Sequence, residues 1–393
     1  MTMQFVARRF DTGVPFRYQI GDGRIVAVEP CAMSDPSASH CPWIAPGLID
    51  IQINGYGGHE FCAGDLTPEL VAQLVDKMSP FGVAQFLPTV TTAGFDVLRH
   101  SLATIGRACE ESAELARRIP GIHLEGPYIS ADDGPRGAHP REHCRPPDWE
   151  EFERLQEAAG GRIRLVTLSA EYEQAPAFIA RAVSSGVVVA IGHTAAETAQ
   201  IVAATDAGAR LSTHLGNGAH PLLRRHPNYI WSQLAEDRLL ASLIVDGHHL
   251  SPEVVKTFVR AKSPERCILI SDLSGLAGLP PGRHRGNLCE VEILPEGRIV
   301  VAGQRRILAG AGLPITAGIV NVMQFAGLDL QHAIAMATRN PARLLDLVCG
   351  DLAAGDEANL LLFDLPSRGE DQQTPRFNVR ALLVHGRAVY GVV

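Results

Sequence analysis

Eight short β-like runs, each followed by a stretch with helical patterning, constrain this chain more than any other feature of it. They fall at residues 48–53, 83–90, 121–124, 163–168, 187–191, 210–213, 241–245 and 267–270. Strands that alternate with helices pair in parallel, because a crossover helix and not a tight turn carries the chain back to the same edge. Eight such units are the number that closes a sheet into a (β/α)8 TIM-like barrel. The gaps hold helical stretches at 68–79, 95–118, 147–159 and 197–207, the last stopping at Gly208 as a helix C-terminus does.

The two ends of the chain have another texture. Phe16-Arg17-Tyr18-Gln19-Ile20 and Arg24-Ile25-Val26-Ala27-Val28 flank Gly21-Asp22-Gly23 and predict a hairpin, and residues 358–364 and 379–390 show the same β character. The expected organisation is a small β-sandwich domain built from both termini, residues 1–45 and 348–393, around a barrel at 46–347. Within that barrel, 289–308 reads as an inserted β-hairpin turning at Pro295-Glu296-Gly297 and covering one rim of the site. Residues 328–347 read as an amphipathic helix interrupted at Asn340-Pro341.

Composition narrows the function classes. A formal charge of -8, a pI near 6.0 and the lack of any Lys/Arg block argue against a nucleic-acid or membrane-surface partner and for a small-molecule ligand. The start MTMQFVARRF has no apolar h-region, and no run of about 18 apolar residues occurs, so a cytoplasmic protein is expected. Eight cysteines without a C-x-x-C pair signal neither a zinc ribbon nor a disulfide framework, and read as free thiols.

Four of the β runs deliver chemically matched side chains at their ends, where a barrel builds its active site. Glu125 ends Ile122-His123-Leu124-Glu125 before a Gly-Pro turn, His193 and His214 follow the fifth and sixth runs, and Asp272 follows the eighth. One carboxylate with two imidazoles is a common ligand set for a catalytic zinc, which keeps a position for water. Glu125, His193 and His214 are therefore assigned to one divalent metal, and Asp272 to proton transfer beside it. Taken singly, each is one of 15 histidines or of many carboxylates, and a histidine after an apolar run is more often structural. Asp272 alone could be a helix cap. Their joint placement at strand ends favours the site.

The motifs that surround these residues resemble the N-acetylglucosamine-6-phosphate deacetylase family of the amidohydrolase superfamily. The resemblance rests on 46–55 (Pro-Gly-Leu-Ile-Asp-Ile-Gln-Ile-Asn-Gly), His123-Leu124-Glu125-Gly126-Pro127, Gly192-His193-Thr194, Thr213-His214-Leu215-Gly216-Asn217, Asp246-Gly247-His248-His249 and Ser271-Asp272. Two tail motifs, 337–342 and 350–355, are similar to the superfamily as well. Many amidohydrolases carry His-x-His at the end of the first strand. Here Gln52-Ile53-Asn54 stands there, and amides are poor zinc ligands, which predicts one metal ion per chain, expected to be zinc.

The resemblance implies further roles. His139 matches a histidine that polarises the acetamide carbonyl or holds the sugar, and His249 another that contacts substrate. Asn217 and Gly218 match the segment whose amides meet the phosphate. Arg225 matches an arginine that reaches the phosphate of the neighbouring subunit, so a homodimer is expected. Leu313 lies in the stretch that matches the acetyl pocket. Departures are Asn217-Gly218-Ala219-His220 where the family has Asn-Ala-Met, 309–316 where it has a Ser-rich turn, and Leu273-Ser274-Gly275 after Asp272. They touch the sugar and acyl pockets, not the metal set. The implied activity is metal-dependent deacetylation of an N-acetyl amino-sugar 6-phosphate. The alternatives are another N-acyl sugar, such as N-acetylgalactosamine 6-phosphate or an unphosphorylated amide, and a non-catalytic sugar-phosphate binder on the same barrel.

Overall fold

The computed structural model describes residues 2–393 apart from 33, 35, 287, 305, 306 and 366–376. All eight expected runs form strands: β1 Leu48–Ile53, β2 Val83–Thr91, β3 Ile122–Glu125, β4 Ile163–Leu168, β5 Val188–Ile191, β6 Leu211–Ser212, β7 Leu240–Ile244 and β8 Cys267–Ile270. They lie side by side in chain order, every neighbouring pair parallel. The seam between β8 and β1 is closed just beyond the strands, where Ile53 bridges Leu273 and the Asp272 N–H donates to the Gln52 carbonyl at 3.0 Å.

Side chains sort by the alternation of the strands. Ile49, Ile51, Leu87, Leu165, Ala190, Leu211, Ile244 and Ile268 form one buried cluster, while Leu48, Val90, Leu124, Val166, Val189, Leu243 and Leu269 pack with the surrounding helices in another. Ala342, Leu344 and Leu345 join the first cluster, so the helix Arg339–Leu344 plugs the N-terminal mouth and leaves the C-terminal mouth to the site.

The helices follow their patterning. Pro68–Met78 buries Val71, Leu74, Val75 and Met78, one stripe at helical spacing, and starts at Thr67, whose hydroxyl accepts from the Leu70 N–H. The expected helix 95–118 is two, Phe95–Glu111 and Ala113–Arg118. Ser112 between them is extended (φ −134°, ψ 110°), and its hydroxyl caps the second at the Leu115 N–H. Residues 328–347 likewise hold Leu330–Ala335 and Arg339–Leu344. The break precedes Asn340-Pro341, because proline is tolerated in a helix's first turn, where no intrahelical N–H is needed.

Strands from the two termini meet in a seven-stranded sheet. Met3–Arg9, Pro15–Gly21 and Arg24–Pro30 form a meander, Trp43–Pro46 pairs parallel with Met3–Arg9, and Leu360–Asp364, Asn378–Val384 and Arg387–Gly391 continue the far side. The hairpin between Pro15–Gly21 and Arg24–Pro30 turns at Asp22 (φ 51°) and Gly23 (φ 78°), the left-handed pair that matches strand twist. The expected insertion at 289–308 contains Glu290–Ile293 and Ile299–Val301, joined by the 294–298 turn. A third strand, Gly282–Arg285, precedes them. Among the described residues no helix is long and apolar enough to cross a membrane.

Candidate metal centre and active site

Glu125 is the last residue of β3, and His193, His214 and Asp272 each stand two residues beyond the ends of β5, β6 and β8. All three of the latter are left-handed, at φ 48°, 30° and 52°. A non-glycine residue is held there at a cost of about 1–3 kcal/mol only where its surroundings fix it, which is typical of functional sites.

The side chains converge. His214 Nε2 lies 3.0 Å and His193 Nε2 3.3 Å from Glu125 Oε1, and the two Nε2 atoms are 3.0 Å apart. The three residues are the only cluster of metal-binding type among the described residues. His193 Nδ1 donates to the Pro135 carbonyl at 2.8 Å. A carbonyl can only accept, so Nδ1 carries the hydrogen and Nε2 turns a lone pair inward. Two imidazole nitrogens and a carboxylate oxygen facing one another need a cation between them. Ligands about 2.0–2.1 Å from a tetrahedral ion stand roughly 3.3 Å apart, close to the spacing found, so the donor set fits a divalent metal. Burial opposes ionisation of Glu125, yet the adjoining His193 and His214 rings outweigh it and hold the carboxyl well below the usual range.

Gln52 and Asn54, at the end of β1, link this cluster to Asp272. Asn54 Nδ2 donates to Asp272 Oδ1 at 2.8 Å, and Gln52 Nε2 reaches both Asp272 Oδ1 at 3.2 Å and Glu125 Oε1 at 2.8 Å. The amides that replace two imidazoles thus act as donors that brace two carboxylates. No donor among the described residues reaches Asp272 Oδ2. Burial, and then the Glu125 charge, push the Asp272 carboxyl up to about 6, within reach of neutral-pH proton transfer.

His139 is buried against the cluster, its ring 4.4 Å from that of His193 and its Nδ1 2.9 Å from Thr92 Oγ1. Burial and the facing His193 push it down to about 3, so the ring is neutral. His249 is held by Asp246, whose Oδ2 lies 2.8 Å from Nδ1 and whose Oδ1 accepts the His248 and His249 N–H groups. It is among the groups that pull the Asp272 carboxyl down, against burial.

The remaining sequence-derived residues divide. The Asn217 N–H and side-chain amide both donate to the His214 carbonyl, at 2.9 and 3.2 Å, and are already engaged. Gly218 (φ 56°) keeps an N–H without a partner among the described residues, and any Cβ there would stand 2.7 Å from His193 Nδ1. Leu313 is half-buried, two residues after Ala311, whose N–H donates to the Asp272 carbonyl at 2.9 Å. Arg225 is exposed on the 221–228 loop and makes no ion pair among the described residues. Sequence reasoning assigned no role to Thr92 or Asp246. Asp246 stands in a motif already singled out, whereas Thr92 is one of two threonines at a strand end and carries no signal of its own.

The amidohydrolase family model matches residues 43–389. The N-acetylgalactosamine-6-phosphate deacetylase of Escherichia coli O157:H7 is 32% identical over 348 residues, 88% of this chain and 90% of that protein. The N-acetylglucosamine-6-phosphate deacetylase of Bacillus subtilis (strain 168) is 31% identical over 353 residues, 87% of each. In a solved structure, an aspartate-to-alanine variant of N-acetyl-D-glucosamine-6-phosphate deacetylase from Mycobacterium smegmatis is in complex with N-acetyl-D-glucosamine-6-phosphate. That chain matches at a TM-score of 0.86 and 31% identity over 99% of both chains.

Proposed function

This chain belongs to the amidohydrolase family, and we propose that it hydrolyses the N-acetyl group of an amino-sugar 6-phosphate, N-acetylglucosamine 6-phosphate first, to the amino-sugar phosphate and acetate. The observation that carries this reading is the joining of Glu125, His193 and His214 to Asp272 through the Gln52 amide, which sets a proton carrier beside a metal-binding cluster. The deacetylase relatives supply the substrate class. A divalent cation held by Glu125, His193 and His214, zinc by its donor set, supplies Lewis acidity toward water and an acyl oxygen.

The protein's own groups do the rest. Asp272 Oδ2 takes a proton from the attacking water as the water oxygen bonds to the acetamide carbon, and returns it to nitrogen as the C–N bond breaks. Gln52 and Asn54 hold Oδ1, so only Oδ2 is free to turn over a proton. His139, through Nε2, donates to the acyl oxygen as it gains charge. His249, steadied by Asp246, and Leu313 contact the sugar and the acetyl methyl. The Gly218 N–H and Arg225 take the phosphate, with Arg225 serving the site of a second copy in a homodimer, as its exposure within one chain suggests. The enzyme works in the cytoplasm.

The test is acetate release by the metal-loaded protein from N-acetylglucosamine and N-acetylgalactosamine, each with and without a 6-phosphate. Turnover of the 6-phosphates is expected. Faster turnover of the galacto epimer selects the activity named for the E. coli relative. Release from neither phosphate rejects the reading. Arg225→Ala should lower kcat/KM about 10- to 150-fold on the phosphorylated substrate alone. Mixing it with an Asp272→Asn chain should restore activity through hybrid dimers; equal losses on both substrate types would refute the phosphate role.

A further inference from the structure

The activity described so far leaves β2 without a part in the site, yet the residue just beyond its end touches a group that faces substrate. Thr92 is 1% exposed, and its Oγ1 lies 2.9 Å from His139 Nδ1. The same oxygen is 3.4 Å from the Glu125 backbone carbonyl, beyond the about 2.5–3.0 Å of a good O–H···O bond. A hydroxyl has one proton to give: the Glu125 carbonyl can only accept it and at 3.4 Å is a weak claimant, while a proton given to Nδ1 at 2.9 Å is the arrangement that leaves the ring hydrogen on Nε2. His139 Nδ1 then accepts, which places the ring hydrogen on Nε2, an atom with no hydrogen-bond partner among the described residues. A glycine is needed beside the hydroxyl, since a Cβ at Gly126 would stand 2.2 Å from Thr92 Oγ1. The ring also meets that of His193 in a T-shaped contact, with centroids 4.4 Å apart.

We propose that Thr92 is a positioning residue that acts through His139: its hydroxyl selects the Nε2–H tautomer and so makes the ring a hydrogen-bond donor toward the acyl oxygen. This rests on the deacetylase reading for its catalytic consequence, but not for the tautomer itself. A histidine with a free choice of tautomer spends part of its time with a lone pair toward the developing negative charge, where it repels it. The hydroxyl removes that choice without adding charge to a buried site.

The test uses the isosteric Thr92→Val and the conservative Thr92→Ser. Ring 15N chemical shifts of His139 in the metal-free chain should show the Nε2–H form in the wild type and in Thr92→Ser, and a mixture or the Nδ1–H form in Thr92→Val. With metal loaded, Thr92→Val should lower kcat for acetate release by roughly 10- to 100-fold, the usual effect of removing the partner that orients a functional histidine. KM and metal content should change little, and Thr92→Ser should restore most of kcat. In a His139→Asn background, Thr92→Val should cost nothing further. An unchanged tautomer in Thr92→Val, equal loss in the serine variant, or fully additive losses would each overturn the inference. A wild-type chain inactive on every substrate would overturn the deacetylase reading instead, while the ring shifts would still decide the role of Thr92.

Discussion

At the scale of single residues, the site works by giving each polar atom one task. Asp272 Oδ1 is occupied by two amides and Oδ2 is left for chemistry. Asp272→Asn preserves shape and the metal ligands but cannot shuttle a proton. Turnover should fall by about 10²–10⁴-fold with metal content unchanged; near-normal turnover would remove Asp272 from the mechanism. Gly218 is constrained twice, by its left-handed φ of 56° and by the 2.7 Å that a Cβ would leave to His193 Nδ1. Because His193 Nδ1 is engaged with the Pro135 carbonyl, a methyl group there must shift a ring of the candidate metal cluster. Gly218→Ala should weaken metal retention on dialysis and lower activity in parallel, and full retention would show that the loop yields instead.

Elements explain what could and could not be read in advance. The strand ends that bring Glu125, His193, His214 and Asp272 together were legible because apolar runs ending in Glu, His or Asp leave a polar group at the barrel mouth whatever the exact boundary. β6 is only Leu211–Ser212, yet His214 still falls two residues past its end. The strand Gly282–Arg285 was not legible, since Gly-Arg-His-Arg has no apolar alternation and is held by pairing with Glu290–Ile293. Thr92 was not legible either, because its partner His139 lies 47 residues on and only the fold brings them together. The break at Ser112 has a local cause that amphipathic spacing hides, since the serine hydroxyl accepts the Leu115 N–H and so caps one of the free donors at the start of the second helix. Ser112→Ala should therefore cost about 1 kcal/mol in urea denaturation, with Ser112→Asp close to wild type. Equal stability of all three would mean that packing alone sets the break.

For the whole molecule, the closing seam of the barrel is where fold and site share the same groups. Beside the backbone bonds that join β1 to β8 stands a side chain: Asp50, fully buried, accepts the Ser271 N–H across the seam at 3.2 Å and the Gln52 N–H of its own strand at 3.2 Å. Gln52 carries the amide that braces Asp272 and Ser271 precedes Asp272, so one buried carboxylate supports both the closure of the barrel and the candidate site. Burial pushes the Asp50 carboxyl up from 3.8 to about 7, against the pull of its bonds to Ser271 and Gln52. The sign of its effect on stability follows. Between about pH 4 and 7 the unfolded chain has released this proton and the native chain keeps it, so the native state binds more protons and stability falls as pH rises. Asp50→Asn has nothing to titrate there. In metal-free protein, where ligand protonation is common to both chains, the stability of wild type relative to Asp50→Asn should decline across that window. The decline should total at most a few kcal/mol, on the order of 1.4 for each tenfold change in proton affinity, and level off above about pH 7. Urea midpoints of the two proteins from pH 4 to 8 measure it. Parallel curves would mean that the seam donors keep Asp50 ionised throughout, and that the barrel closes on a charge and not on a neutral acid.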